Sequence, residues 1–524
     1  MNKVTLNDIK ELLQSRISKD EITSLKDLPP PLSFKDIEKA TKRICQAIEN
    51  DETINIVGDY DADGVISTAI MVEFFTQAIG IEVNYIIPNR FTHGYGISAK
   101  ILDDIYEGII ITVDNGISAI EAGKICKKRG LDLIITDHHT VGENIPEAYA
   151  IVNPKQTDCE FPFSDICGAN VAWYLCASIK KALGLDFNLM AFFDLLTIAI
   201  VADVMPMKSL NKTVVKRGLQ ELSNTNRPAI VAIKERFGLS KINEEDIGFK
   251  IAPLINCAGR MEDASIALEF LLSFDEYEAN EQLAYLIELN ETRKKEQLSI
   301  FEEAKVKVDV MSDVIVVESE GWNEGIIGIV AAKLCEKYKK PSFVFHQNGL
   351  HLKGSGRGNG EINLYTLLHK VSHLLTGFGG HKGAAGLSLK VANFEKFKEE
   401  INKAYHTVPK EDDFIGSEFL STIDFSLVGK ELFELINSFR PFGLENTLPI
   451  FRFSQLQVAE IKIIGKNKEY KKIVLDDGNT QLEALVFVDI DTIYEGDIVD
   501  ILATIDKNEF RGEVTYTLLL KEIL

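Results

Sequence analysis

The feature that most constrains the fold is an alternation of short apolar, β-branched runs with helix-like stretches between residues 54 and 139. The runs have the length of strands and read INIV, VNYII, IIITV and LIIT. Buried parallel strands are almost continuously apolar, and strands that alternate with helices build a doubly wound parallel sheet. Because ligands bind at the carboxyl ends of such strands, functional residues are expected directly after each run.

Acidic and histidine side chains follow these runs, and one more follows the later apolar run IAIVA. They are Asp59, Asp61, Asp63, Asp114, Asp137, His138, His139 and Asp203. All four segments that carry them, including the one before Asp203, are predicted to be strands. A lone Asp at such a turn would more simply cap the next helix, but four turns with two adjacent histidines favour one metal site. Oxygen donors with imidazoles suit a pair of Mn²⁺ or Mg²⁺ ions, which activate water against a phosphodiester.

Length and composition restrict the class of protein. The 524 residues are 45% apolar and 26% charged, as in soluble globular proteins, and this length predicts about three domains. The start MNKVTLNDIKELLQ has no signal-peptide pattern, so a cytoplasmic location is expected. The seven cysteines form no C-x-x-C pair, which argues against a zinc knuckle or a disulfide framework. With a net charge of −22, any nucleic-acid surface must be a local basic groove.

The pattern divides the chain into five segments. A helical lead-in covers residues 1–50, an α/β lobe residues 51–275, and a second α/β lobe residues 311–410. Residues 276–310 are charge-rich and lack Gly and Pro, which predicts one long connecting helix, with two shorter packed helices as the alternative. Residues 411–524 hold about five short strands, which predict a closed barrel of the OB type that holds single strands.

Three later motifs carry cations beside small residues. Arg90 lies in NRFTHGYGIS, Arg260 follows Ala258 and Gly259, and Arg357 lies with Ser355 in LKGSGRG. Exposed amides beside glycines form anion-binding concavities, so a phosphate could bind there, although a solvated loop arginine is the simpler reading of Arg90. His381 lies in GGHKGAAG, whose glycines would let a nucleotide strand approach the backbone closely.

Taken together, these motifs resemble the DHH phosphoesterase superfamily and, within it, the RecJ exonucleases. The resemblance runs from about Asn55 to Pro449. It implies a DHH domain, a DHH-associated domain and an OB-like barrel. It also implies roles for single residues: metal ligands at Asp61, Asp63, His138 and Asp203, a bridging carboxylate at Asp114, an orienting role for Asp137, and Asp59 and His139 as further candidate ligands. Several relatives have a histidine where this chain has Val57, so the resemblance implies Asp59 or water in that place of the ligand set.

The activity that the resemblance implies is hydrolysis of single-stranded DNA from a 5′ end, with release of 5′-mononucleotides, in DNA repair and recombination. Arg90, Ser355 and Arg357 would bind the terminal 5′-phosphate, Arg260 the scissile phosphate, and His381 a phosphate or base. A RecQ-type helicase and a single-stranded-DNA-binding protein would be the protein partners.

Two other functions are weighed against this one. A phosphodiesterase for cyclic dinucleotides or short RNA would share the metal motifs, but such relatives lack the barrel and are shorter. A catalytically inactive DNA-binding scaffold would not need so many converging charges, so the intact acidic and histidine set argues against it.

Overall fold

The computed structural model of the protein describes residues 4–17, 22–410, 419–464, 470–486, 493–510 and 513–524. The chain forms two compact units. The large unit comprises Pro29–Asp203 and Arg217–Phe414, and the barrel unit comprises Met1–Leu28, Val204–Lys216 and Ile415–Leu524.

The α-helices are numbered in chain order. They are α1 (Leu6–Ile17), α2 (Ile37–Glu49), α3 (Ala62–Glu73), α4 (Ala99–Leu102), α5 (Ile120–Arg129), α6 (Gly168–Leu183), α7 (Phe193–Ala202), α8 (Ser209–Asn224), α9 (Pro228–Phe237), α10 (Glu244–Asp246), α11 (Ala252–Met261), α12 (Ser265–Leu271), α13 (Glu276–Lys307), α14 (Ile327–Tyr338), α15 (Leu364–Lys370), α16 (Phe394–Tyr405) and α17 (Lys430–Asn437).

The strands form three sheets. They are β1 (Ile54–Val57), β2 (Asn84–Ile86), β3 (Ile109–Val113), β4 (Asp132–Thr136), β5 (Ala150–Val152), β6 (Ile315–Glu320), β7 (Ser342–Asn348), β8 (His351–Arg357), β9 (Leu375–Gly380), β10 (Ala384–Lys390), β11 (Ser421–Thr422), β12 (Phe451–Ile464), β13 (Tyr470–Asp476), β14 (Gln481–Val486), β15 (Ile498–Phe510) and β16 (Glu513–Ile523).

The first sheet of the large unit is parallel throughout, in the order β2-β1-β3-β4-β5. Its central strands β1 and β3 are buried along their whole length, which their continuous β-branched sequences allow. The predicted parallel sheet is therefore confirmed. The carboxyl ends of β1, β3 and β4 lie at one edge of this sheet, where ligands bind in open α/β folds.

Helix α3 follows β1 and is buried at every residue. It continues into a π-helical turn, and the whole stretch Ala62–Ile79 is long and apolar enough to cross a membrane by length and composition. However, 78% of the stretch is buried within the protein. A helix that is apolar on all sides needs such enclosure, so α3 is a core helix of the large unit.

The apolar run before Asp203 was predicted to be a strand, and this prediction is wrong. Residues Phe193–Ala202 form helix α7, and its residues from Phe193 to Ile200 are all buried. A helix enclosed on every side needs no polar face, so its sequence lacks the 3.6-residue periodicity that separates helices from buried strands. Asp203 therefore lies at the carboxyl end of a helix, not of a strand.

The predicted connecting helix is one continuous element, α13, of 32 residues. The second sheet of the large unit follows it, in the order β6-β7-β8-β10-β9. Strands β6 and β7 are parallel, and the remaining pairs are antiparallel. Helix α14 packs beside this sheet, with Val330, Ala331 and Leu334 in a core shared with Val317.

The barrel unit contains a sheet in the order β11-β12-β13-β14-β16-β15, which closes because β12 also pairs with β15. The five strands β12 to β16 form the closed barrel, to which β11 adds one pairing with β12, and this barrel confirms the predicted OB-like fold. Helix α1 packs into the same core, where Ile9 and Leu13 are almost completely buried. The helical lead-in predicted for residues 1–50 is thus divided, since α1 belongs to the barrel unit and α2 to the large unit.

Candidate metal centre and anion pocket

The metal centre is built where β1, β3, β4 and α7 end. Asp61 is the N-cap of α3, and its Oδ1 accepts hydrogen bonds from the amides of Asp63 (3.0 Å) and Gly64 (3.1 Å). Asp61 is therefore a helix cap, as the simpler interpretation of such an Asp predicts, but capping uses only one of its two carboxylate oxygens. No hydrogen bond to its Oδ2 is found among the described residues, so that oxygen can serve as a ligand.

The start of α6 fixes Asp63. Its two carboxylate oxygens accept hydrogen bonds from the amides of Gly168 (2.5 Å) and Ala169 (2.9 Å). Helix amino termini favour negative charge, because their first amides have no partner within the helix. Burial nevertheless raises the pKa of Asp63 to about 6, and the nearby charge of Asp61 adds to the rise.

Three carboxylates surround one nitrogen of His138. Its Nε2 lies 3.2 Å from Asp114 Oδ1, 3.6 Å from Asp203 Oδ2 and 3.8 Å from Asp63 Oδ2. Burial lowers the pKa of His138 to about 3, so the imidazole is neutral and available as a ligand. Asp114 adopts a left-handed backbone conformation (φ 62°), and strain of this kind concentrates at functional sites.

Asp137 orients the two histidines. Its Oδ1 accepts hydrogen bonds from the amides of His138 (2.7 Å) and His139 (3.0 Å) and contacts His139 Nδ1 at 2.7 Å, while its Oδ2 accepts one from the amide of Ile117 (2.8 Å). Burial lowers the pKa of His139, but the hydrogen bond to Asp137 and the charges of Asp137, Asp61 and Asp59 together outweigh it and raise the pKa to about 9. A carboxylate used in this way fixes imidazole orientation and leaves Nε2 of His139 for a ligand or substrate.

The candidate ligands fall into three overlapping groups, in each of which one ligand atom per residue lies within 4.8 Å of the others. The groups are Asp59 with Asp61 and Asp114, Asp63 with His138 and Asp203, and Asp114 with His138 and His139. Asp59, which the sequence left as a further candidate, lies in the first group. The structure thus brings together all eight residues that the sequence placed at this site, with Asp137 in contact with His139.

The chemistry of these residues fits divalent cations. Buried oxygens of Asp59, Asp114 and Asp203 have no hydrogen-bond partner among the described residues. Burial raises the pKa of each of these carboxyls, that of Asp203 to about 9, and neighbouring carboxylates raise them further. Buried carboxylates without partners are costly, and cation binding removes that cost. Carboxylate oxygens with one or two imidazoles are a donor set that Mn²⁺ and Mg²⁺ accept.

Three arginines of the large unit are the candidates for an anion pocket, and the charges of two of them act on the third. The Arg90 guanidinium lies over the ring of Tyr60, 4.1 Å from its centroid. Arg357 donates from Nη1 to Ser355 Oγ (3.0 Å). Burial lowers the pKa of Arg260 to about 10, and the charges of Arg90 and Arg357 contribute to the change.

None of these arginines forms an ion pair with a described carboxylate, although the chain has 79 acidic residues. Paired arginines elsewhere, such as Arg227 with Glu73 and Asp194, show the usual arrangement for a buried guanidinium. Partly buried guanidinium groups without an ion-paired carboxylate are suited to bind an external anion.

His381 lies in the turn between β9 and β10, where its amide donates to Ala384 O (2.8 Å). Its side chain is exposed, and it lies near enough to His139 and Lys155 for their charges, after partial burial, to lower its pKa. The turn of the second lobe therefore lies within electrostatic range of His139 at the metal centre of the first.

Sequence reasoning missed four residues near these sites. Tyr60 stacks under Arg90, and the hydroxyl of Tyr95 lies 3.4 Å from the ring nitrogens of His139. The charge of Lys155 lowers the pKa of Asp203 and of His138, and the charge of Arg293 of α13 lowers the pKa of Arg260. Tyr60 and Tyr95 lie inside recognised motifs and could have been proposed, whereas nothing local distinguishes Lys155 or Arg293.

Comparison with known proteins agrees with this geometry. Three family models match the chain: the DHH family N-terminal domain over residues 53–200, the DHHA1 domain over residues 311–407 and the RecJ OB domain over residues 421–522. The fold is that of RecJ from Thermus thermophilus in complex with Mn²⁺, with a TM-score of 0.84, 24% identity, and coverage of 99% of this chain and 76% of that one.

Two curated relatives are named single-stranded-DNA-specific exonuclease RecJ. The one from Bacillus subtilis is 34% identical over 95% of this chain, which spans 64% of that relative's length. The one from Haemophilus influenzae is 30% identical over 95% of this chain, and here the match covers 92% of the relative. With this identity over nearly the whole length of a relative, and with all three domain models in order, the chain belongs to the RecJ family.

Proposed function

We propose that this protein is a single-strand-specific 5′→3′ exodeoxyribonuclease that releases 5′-mononucleotides by metal-dependent hydrolysis of phosphodiester bonds. The observation that carries the proposal is the presence, in one unit, of a buried carboxylate and histidine cluster and of three arginines without acidic partners. The first suits metal ions and the second suits a terminal phosphate. An exonuclease that acts from a phosphorylated end needs both.

Two divalent ions, Mn²⁺ or Mg²⁺, are proposed as cofactors. Asp59, Asp61 and Asp114 would hold one ion, and Asp63, His138 and Asp203 would hold the other, with Asp114 near enough to His138 to serve both. When bound, such ions activate a water molecule and offset negative charge on the phosphoryl oxygens.

The protein's own groups have separate tasks in this proposal. His139, held by Asp137, would donate a hydrogen bond from Nε2 to a phosphoryl oxygen in its protonated form. Arg260 would neutralise the scissile phosphate. His381, exposed on its turn, would contact the following phosphate or base. These contacts orient the strand, and orientation accounts for a large part of catalysis in hydrolytic sites.

The anion pocket would select the strand end. Arg90, Ser355 and Arg357 would bind a terminal 5′-phosphate through charge-assisted hydrogen bonds, and the ring of Tyr60 would hold Arg90 in place. The match to the RecJ OB domain supports a polymeric single strand as substrate over a cyclic dinucleotide, because OB barrels bind extended strands.

The cellular setting is also part of the proposal. An enzyme of this kind would act in the cytoplasm, in DNA repair and recombination. A RecQ-type helicase would supply it with single strands, and a single-stranded-DNA-binding protein would present them.

One assay tests the proposal. Single strands labelled at the 5′ or the 3′ end, with duplex and RNA controls, are incubated with Mn²⁺, Mg²⁺ or chelator. A 5′ label should appear first as mononucleotide, only with metal, and only from single-stranded DNA. Asp114→Asn, which keeps the shape of the side chain, is the inactive control. Release of label from the 3′ end first, or equal rates on RNA, would contradict the proposal.

A further inference from the structure

Helix α11 lies directly on the loop that carries Asp61. The Oδ1 atom of Asn256 accepts a hydrogen bond from the amide of Ala62 (3.1 Å), which is the first residue of α3. Asp61 itself accepts from the next two amides, those of Asp63 and Gly64. Asn256 therefore satisfies the one amide at this helix start that Asp61 leaves unbonded.

One turn later, α11 presents Gly259 to the same loop. A Cβ atom at Gly259 would overlap the carbonyl oxygen of Tyr60, the residue before Asp61. Only hydrogen fits between the two backbones, so the helix touches the loop without an adjustable side chain. Asn256 and Gly259 together fix the distance between α11 and the backbone of the loop that carries Asp61.

The residue after Gly259, Arg260, touches the second lobe from the same end of α11. A Cβ atom at Gly325 would overlap the carbonyl oxygen of Arg260, and Arg260 donates from Nη1 to the carbonyl oxygen of Gly325 (3.2 Å). Gly325 lies just before α14. In α14, a Cβ atom at Gly328 would lie 3.0 Å from Ser355 Oγ and 3.2 Å from Arg357 Nη2.

We propose that α11 is a rigid spacer that sets the distance between the metal centre and the terminal-phosphate pocket, with Asn256, Gly259 and Gly325 as positioning residues. The contacts at Gly259 and Gly325 are between backbones, and such contacts cannot yield by changing a rotamer, whereas the last step to Ser355 and Arg357 is a side-chain contact of Gly328. The proposal rests on the function proposed above, because the spacing matters if the same strand end occupies both sites. If α11 is such a spacer, its packing against the two lobes determines how many nucleotides each released product contains.

Gly259→Ala tests the loop side of the spacer. The added methyl group should push the Tyr60 carbonyl, weaken Mn²⁺ binding measured by calorimetry, and lower kcat on the order of 100-fold, the usual effect of a shift of about 1 Å. Gly123→Ala is the matched control, because Gly123 is also helical and its Cβ would lie 2.7 Å from a backbone oxygen, that of Glu147. The control should lose thermal stability while keeping Mn²⁺ affinity, kcat and product length.

Gly325→Ala tests the pocket side. It should leave Mn²⁺ affinity unchanged, narrow the preference for 5′-phosphorylated strands, and replace a uniform mononucleotide product by a mixture of lengths. Asn256→Ala should weaken Mn²⁺ binding, and Asn256→Asp should restore most of it, because aspartate also offers an oxygen to the amide of Ala62.

The outcomes separate the spacer from the proposed function. If the wild type does not act on 5′ ends, the proposed function fails, and the Mn²⁺ affinities still report whether α11 positions the loop. If the wild type acts as proposed but Gly259→Ala and Gly325→Ala differ from the wild type no more than Gly123→Ala does, the spacer is refuted. Equal loss of Mn²⁺ binding in Asn256→Ala and Asn256→Asp would also count against it.

Discussion

Binding of Mn²⁺ or Mg²⁺ should release protons, so that the apparent metal affinity rises steeply with pH. Burial, and after it the charges of Asp63 and Asp61, raises the pKa of Asp203 to about 9. In the metal-free protein this carboxyl is therefore protonated through neutral pH. The protonated Asp203 carboxyl contributes to the stability of the metal-free fold at low pH, and this contribution is lost as pH rises through 9. A bound cation instead favours the ionised carboxylate.

The size of the effect follows from that pKa. Between pH 6 and 8 a metal ion must displace the proton of Asp203, and each displaced proton changes the binding free energy by 1.36 kcal/mol per pH unit. One proton thus gives ~2.7 kcal/mol, or roughly 100-fold in apparent Kd, over this interval. Asp63, whose pKa is about 6, adds to the slope below pH 6.

Titration calorimetry with Mn²⁺ at pH 6, 7 and 8, in buffers of different ionisation enthalpy, measures both the affinity and the protons released. Asp203→Asn removes the titrating group and should flatten the slope by about one proton. An apparent Kd that is the same at pH 6 and 8, or a slope that is unchanged in Asp203→Asn, would refute the reasoning.

Three other predictions follow from the same structure. Without metal, Asp203→Asn should raise the free energy of unfolding at pH 8 by about 1–3 kcal/mol, since the side chain is only 29% exposed, and thermal denaturation with chelator measures this. Arg357→Ala should reduce the preference for 5′-phosphate over 5′-hydroxyl strands by about 1.5–3 kcal/mol in kcat/KM, whereas Arg43→Ala, which breaks an ion pair with Asp132 at the amino end of β4, should not. Leu13→Ala should lower the stability of the barrel unit by about 2–5 kcal/mol, seen as an earlier unfolding transition, with kcat on a very short oligonucleotide unchanged.

The parts of the centre that depend on local order were predictable from sequence. Asp61, Asp114 and His138 each follow a continuous apolar run, and parallel strands of one sheet bring their carboxyl ends together whatever the details of packing. The long helix α13 was predictable for a similar local reason, because nothing in its 32 residues interrupts a helix.

The parts that depend on enclosure or on distant partners were not predictable. The run before Asp203 is apolar throughout because α7 is buried, and burial removes the periodicity that would have revealed a helix. Arg293 lies among charged residues of α13 and is distinguished only by its nearness to Arg260. The sequence of α1 shows an apolar stripe but not which surface covers it.

The packing of α1 into the barrel core has a consequence during synthesis. Ile9 and Leu13 are translated long before the strands that share their core, β12 to β16. At about 5–20 residues per second, a ribosome needs roughly 25–100 s to make the 524 residues. During that time the apolar side of nascent α1 lacks the barrel core that later buries it, while the large unit can already fold. Completion of the barrel must then follow synthesis of β16, and proteolytic loss of α1 would damage a domain whose strands begin more than 400 residues later in the sequence.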